Sequence, residues 1–343
     1  MRAGGAPDAR TQRGALAGLG LGLAAANLAA WSWALLAFGG HPALLGTALL
    51  AYGFGLRHAV DADHIVAIDN VTRALMRGGR RPLAVGLWFA LGHSTIVVAA
   101  TVAVATAASF ASRVEPLWAL SAVLGTAVSA LVLLGVAAMN VAVLLDMRAR
   151  LRRLDAGQRE EGPDPLSGGG LARLVRPLFR LIRAPWHMYP LGVLFGLGFD
   201  TATEVGLLGV SAAEARHGLP VWSILVFPAL FAAGMSLVDT LDGVLMARAY
   251  GWASLSPRGT LRYNIAITLV SVLVAVGVGG AEALGLAGEQ LDLHGALWRG
   301  ADALNERSGL IGGLIVAGFA ASWAGAAALQ RLRRRAGAET NGL

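Results

Sequence analysis

Residues 57–65 read RHAVDADHI, which places two imidazoles, His58 and His64, and two carboxylates, Asp61 and Asp63, within seven residues of an otherwise apolar run. Similar side chains recur in three further apolar stretches: His93 in LGHSTIV, Asp200 and Glu204 in GFDTATE, and Asp239 and Asp242 in MSLVDTLDG. Histidine with carboxylate and no sulfur is the donor set of Ni(II), Co(II) or Zn(II), whereas an all-oxygen set would suit Mg(II) or Ca(II). A divalent cation neutralises two carboxylates and accepts neutral imidazole, so one ion compensates both kinds of residue.

Compensation is needed because these stretches are long enough to cross a bilayer. An ionisable side chain at the membrane centre costs about 2.5–3.5 kcal/mol. Seven or eight of them would cost on the order of 20 kcal/mol, more than the roughly 5–15 kcal/mol that stabilises a whole domain. Hydrogen-bonded glue between helices accounts for one or two polar residues per bundle. Acids alone repel, and the candidate cations within the spans are three histidines and Arg57.

Helical phase arranges the donors. At about 100° per residue, Asp61 falls between His58 and His64 on one face, and Asp63 points away. Either Asp63 has a separate partner, such as Arg57 or a ligand histidine, or the helix unwinds here and all four turn inward. Asp200 and Glu204, four apart, and Asp239 and Asp242, three apart, are each placed on a shared helical face.

The elements that must hold these groups are membrane helices. The chain has 343 residues, 56% hydrophobic and 14% charged, with a mean hydropathy of +0.61. Runs of about 20 apolar residues predict eight spans, near 15–38, 43–69, 82–108, 117–146, 189–213, 220–247, 261–286 and 309–330. The expected fold class is all-α, a polytopic membrane protein. Of the 28 arginines, 23 lie in or beside the N-terminal tail, the 71–81 loop, residues 147–187, the 248–260 loop and the C-terminal tail. The positive-inside rule makes that side cytoplasmic, with both termini inside. The net charge of +7 is therefore topological, and nucleic acid is not an expected partner; the lipid bilayer is.

Cysteine is absent and every basic residue is arginine, which excludes disulfides, thiolate ligands, Schiff-base chemistry and the lysine of a phosphate-binding ATPase loop. Residues 147–187 are charged, then Gly- and Pro-rich, then arginine-amphipathic. They read as a cytoplasmic linker between a four-span half at 1–146 and another at 188–335, followed by a tail at 336–343. Residues 287–308, with Leu291, Leu293, Leu297 and Leu304 around Trp298, are expected to form an interfacial helix.

Two further matches connect the halves. FGLR at 54–57 pairs with FGLG at 195–198, and FALGHS at 89–94 with FAAGMS at 231–236. A displacement of three spans reverses direction through the membrane, so spans two and three would be an inverted repeat of spans five and six, with a substrate site near the midplane.

RHAVDADHI, LGHSTIVV, LGFDTATE and GMSLVDTLDG together, in that order, resemble the motifs of the nickel/cobalt transporter (NiCoT) family, the first matching its HxxxxDH signature. The resemblance covers most of the chain. It implies import of Ni(II) or Co(II) across the bacterial cytoplasmic membrane by a single-component secondary permease, with the metal as substrate and no cofactor. Carried over by position, His58, Asp63 and His64 match the signature and Asp61 lies inside it. His93, Asp200, Glu204, Asp239 and Asp242 match the remaining motifs. Ala90 stands where the family pattern suggests serine, a departure that bears on selectivity. Related exporters tend to carry a histidine-rich loop, whereas the long linker here holds only His187, which favours import. Two other readings fit less well. An intramembrane metal-dependent hydrolase, with a zinc on His58, His64 and Asp200 and Glu204 activating water, needs far fewer groups. A metal-binding subunit of a multi-component importer would need an ATPase from elsewhere.

Overall fold

The computed structural model describes residues 9–77, 79–80, 82–106, 111–156, 183–198, 201–251, 257–318 and 321. Among these residues every regular element is helical: α1 (Ala9–Phe38), α2 (Pro42–His58), α3 (Ala62–Arg77), α4 (Val85–Thr106), α5 (Ala111–Asp155), α6 (Met188–Phe195), α7 (Ala202–Arg216), α8 (Val221–Ile224), α9 (Val226–Gly251), α10 (Pro257–Gln290), α11 (Ala296–Asn305) and α12 (Ser308–Gly318). Helices satisfy their own backbone polar groups, which hydrocarbon cannot do. Five are long and apolar enough to cross a membrane, and six if the bent pair α2 and α3 counts as one span. Large apolar side chains face outward, including Leu21, Leu28 and Leu35 at seven-residue spacing on α1, as lipid-facing surfaces require. The chain is a multi-pass membrane protein.

The second apolar run is interrupted. α2 starts with Pro42 in its first turn and ends at His58, α3 resumes at Ala62, and the two axes differ by 51°. Asp63 falls in the first turn of α3, where a negative charge complements the exposed amide groups. The helix is interrupted here, as one of the two arrangements left open required, while Asp63 is only half-buried. The fifth apolar run is also interrupted: α6 ends at Phe195 and α7 starts at Ala202. Glu204 sits in the first turn of α7, and the expected pairing of Asp200 with it lies outside the described residues.

By contacts the chain forms two compact units. One comprises Met1–Ala59, Leu83–Gly125 and Met188–Thr240; the other comprises Val60–Pro82, Thr126–His187 and Leu241–Leu343. The first unit has an aromatic core in which Phe38 stacks on Phe227 with ring centres 5.5 Å apart, joined by Leu207, Ile224, Leu230 and Phe231. Its helices meet at glycine. A Cβ on Gly55 of α2 would collide with the Phe231 carbonyl of α9, one on Gly92 of α4 with the Tyr189 carbonyl of α6, and one on Gly192 of α6 with the Phe89 carbonyl of α4. Small residues permit this approach where no hydrophobic force drives apolar helices together.

The second unit encloses a polar network. Asp69 Oδ2 pairs with Arg73 at 3.0 Å and accepts from the Ser271 hydroxyl at 3.0 Å. Arg73 and Asn140 both donate to Asn70 Oδ1. Arg73, counted above with the cytoplasmic loops, is thus a buried residue of α3. α5 runs on to Asp155, into the basic segment, and residues 157–182 lie outside the described residues. His187 accepts backbone N–H groups of Arg183 and Ala184, closing a local turn. α11 forms within the stretch read as interfacial, with Trp298 against Gly288 and Leu297 and Leu304 exposed.

Candidate metal centre

Three of the expected donors meet in the first unit. His58 is the last residue of α2, His93 lies mid-way along α4, and Glu204 opens α7. Glu204 is placed by its own helix start: Thr201 caps α7 by accepting from the Glu204 N–H, and its hydroxyl donates to Glu204 Oε2 at 2.9 Å. The sequence TATE thus has the spacing of a capping box, with its acid turned toward the Thr201 hydroxyl and the histidines. Nε2 of His93 lies 2.8 Å from Glu204 Oε1 and 3.0 Å from His58 Nε2, and His58 Nε2 is 3.9 Å from the same oxygen. All three side chains are buried, with 2%, 2% and 1% of the His58, His93 and Glu204 side chains exposed. Phe231 lies against His58 with ring centres 5.4 Å apart, and Phe89 flanks His93 at 6.4 Å. Two donors each about 2.1 Å from one ion and at right angles to each other lie about 3.0 Å apart. The imidazole pair therefore has the spacing of adjacent ligands, and the aromatic walls keep water from competing.

Residues 44–329 match the family described as high-affinity nickel-transport protein. The chain belongs to that family. It is 53% identical over 317 residues to the high-affinity nickel transport protein of Cupriavidus necator, covering 91% of this chain and 90% of that protein. It is 50% identical over 310 residues to the hydrogenase nickel incorporation protein HupN of Bradyrhizobium diazoefficiens, covering 88% and 80%. The cobalt transport protein NhlF of Rhodococcus rhodochrous is 40% identical over 309 residues, covering 87% of each chain. No solved structure matches. Membership in this transport family sets aside the hydrolase reading.

The other candidate donors of this nickel-transport family member are distributed as follows. Asp239 is buried on α9 in the first unit, and its carbonyl is what a Cβ on Gly86 of α4 would strike. In the second unit, Asp61 is buried at the break before α3 and accepts from the Ser308 hydroxyl at 3.2 Å. Asp63 is half-buried, and His64 and Asp242 are buried, on α3 and α9 respectively. Thr201 and Thr203 were not among the sequence candidates. Their hydroxyls approach His58 Nδ1 at 3.3 and 3.1 Å. The available signal was the T-x-x-E spacing, which marks a helix start.

Proposed function

We propose that this chain is a secondary permease importing Ni(II), Co(II) or both across the cytoplasmic membrane of a bacterium. The observation that carries the reading is the buried His58, His93 and Glu204 cluster in a member of a nickel-transport family. Relatives named for nickel and for cobalt support both metals as substrates. His58, His93 and Glu204 form the core of the site. His64, Asp61 and Asp63 of the signature segment, with Asp200, Asp239 and Asp242, are the further metal-binding residues of this reading.

Eight spans, both termini in the cytoplasm, and two four-span halves, 1–146 and 188–335, joined by the linker at 147–187 are part of the same proposal. The inverted repeat of spans two and three by spans five and six gains support from the interruptions, since α2 and α6 each end within or beside an FGL sequence. No ATPase is required. A divalent ion moving down a 100 mV potential gains about 4.6 kcal/mol, enough for roughly thousandfold accumulation at about 1.4 kcal/mol per decade.

The test is uptake of radiolabelled nickel and cobalt into liposomes containing only this protein, under an imposed inside-negative potential. Uptake by the native protein and its loss in His58→Ala and Glu204→Gln, each still inserted in the membrane, is the expected result. Uptake that requires an added ATPase, or that persists in both variants, refutes the proposal.

A further inference from the structure

We infer that Thr203 and Thr201 are positioning residues, a hydroxyl chain that holds His58 in the tautomer protonated on Nδ1 and so presents its Nε2 lone pair to the metal. The inference rests on the permease reading only in naming the metal as what Nε2 receives. The proton positions follow from the heavy atoms, because a carboxylate only accepts. Glu204 Oε1 lies 2.8 Å from His93 Nε2, a separation that two acceptors would not keep without a proton, so His93 carries its proton on Nε2. His58 Nε2 lies 3.0 Å from the same atom, so beside that proton it is placed as an acceptor and not as a second donor. The His58 proton therefore sits on Nδ1.

The other end of the carboxylate gives the same answer. Thr201 has one hydroxyl proton, and it goes to Glu204 Oε2 at 2.9 Å. Toward its other neighbours Thr201 accepts. Thr203 Oγ1 is 3.2 Å from Thr201 Oγ1 and 3.1 Å from His58 Nδ1. Donation runs in one direction, from His58 Nδ1 to Thr203, from Thr203 to Thr201, and from Thr201 to Glu204. Both paths leave His58 Nε2 unprotonated, and both are anchored on Glu204. A ligand imidazole is commonly oriented through its other nitrogen in this way. His58 is pre-set for coordination, whereas His93 must give up the Nε2 proton that an arriving ion replaces.

The experiment is ¹⁵N magnetic resonance of ring-labelled histidine in the full-length, metal-free protein in lipid nanodiscs, with His58 assigned by the signals lost in His58→Gln. Nickel titration of the same samples accompanies it. The native protein is expected to show His58 protonated on Nδ1 and bare on Nε2. Thr203→Val, which removes the hydroxyl at nearly constant shape, should mix the tautomers and weaken Ni(II) binding about 10- to 100-fold. Thr203→Ser should restore both. Thr203 is preferred to Thr201 because Thr201 also caps α7. A native His58 protonated on Nε2 overturns the inference without any variant. So does Thr203→Val with a native tautomer and native affinity, or with a changed tautomer and unchanged affinity. Failure of the permease reading is seen separately, as a native protein that shows the Nδ1 tautomer and carries no nickel into liposomes.

Discussion

Gly192→Ala should impair metal binding although it lies on α6, which supplies no ligand. A methyl group there would come within 2.9 Å of the Phe89 carbonyl carbon and 3.0 Å of the His93 backbone nitrogen, and closer still to the Phe89 carbonyl oxygen. Comfortable contacts are about 3.5–4.0 Å, and all three neighbours are backbone, so no side chain can swing clear. α4 and α6 must separate by at least about 0.5 Å, carrying His93 with them. Metal–ligand bonds tolerate only about ±0.2 Å. Overpacking costs about 1–3 kcal/mol, so the variant should still insert, with a lower thermal midpoint and at least about tenfold weaker nickel binding, by analogy with lost support around a ligand. Gly209→Ala on α7 is the control, because nothing lies within 4 Å of where its Cβ would stand. Isothermal titration and liposome uptake on the purified pair decide the matter. Native affinity and uptake in Gly192→Ala would show that His93 is not held by the α4–α6 approach.

Two further outcomes are expected. Asp69→Asn takes the charge from the buried partner of Arg73 and should cost about 3–5 kcal/mol of stability, read as a fall in thermal midpoint that exceeds that of Gly192→Ala. Nickel affinity should decline as pH falls, because protons compete with metal for the same nitrogen; affinity flat from about pH 5 to 8 would argue against histidine ligation.

The donor types of the site were legible because hydrocarbon makes ionisable residues expensive, so each one in an apolar run attracts notice. His58, His93 and Glu204 were all found on that ground. Their arrangement was less legible. An ideal helical wheel set Asp63 against its neighbours, and that conflict raised the interruption after His58 as one of two alternatives. The same wheel did not show that Thr201 caps a new helix just before Glu204, because the apolar run hid that start. Arg73 was counted as a loop residue because its partner Asp69 is itself held by Ser271, 202 positions away, a pairing that no local pattern encodes. Thr201 and Thr203 escaped because hydroxyls are cheap to bury when they bond backbone or side chain, so they leave no hydropathy signal.

The interruptions also set the sign of the field at the candidate metal centre. α2 delivers its C-terminal end at His58, and α7 its N-terminal end at Glu204. A helix carries about half a negative charge at the former and half a positive charge at the latter. A bare helix N-terminus is a ready anion site, suited to phosphate or sulfate. Glu204 occupies that position from within the chain, so the amide groups of α7 are stoppered by a built-in anion whose second oxygen remains available to the histidines. The one helix end that could have received an oxyanion, that of α7, is thereby turned, beside the negative end of α2, into part of a receptacle for a cation.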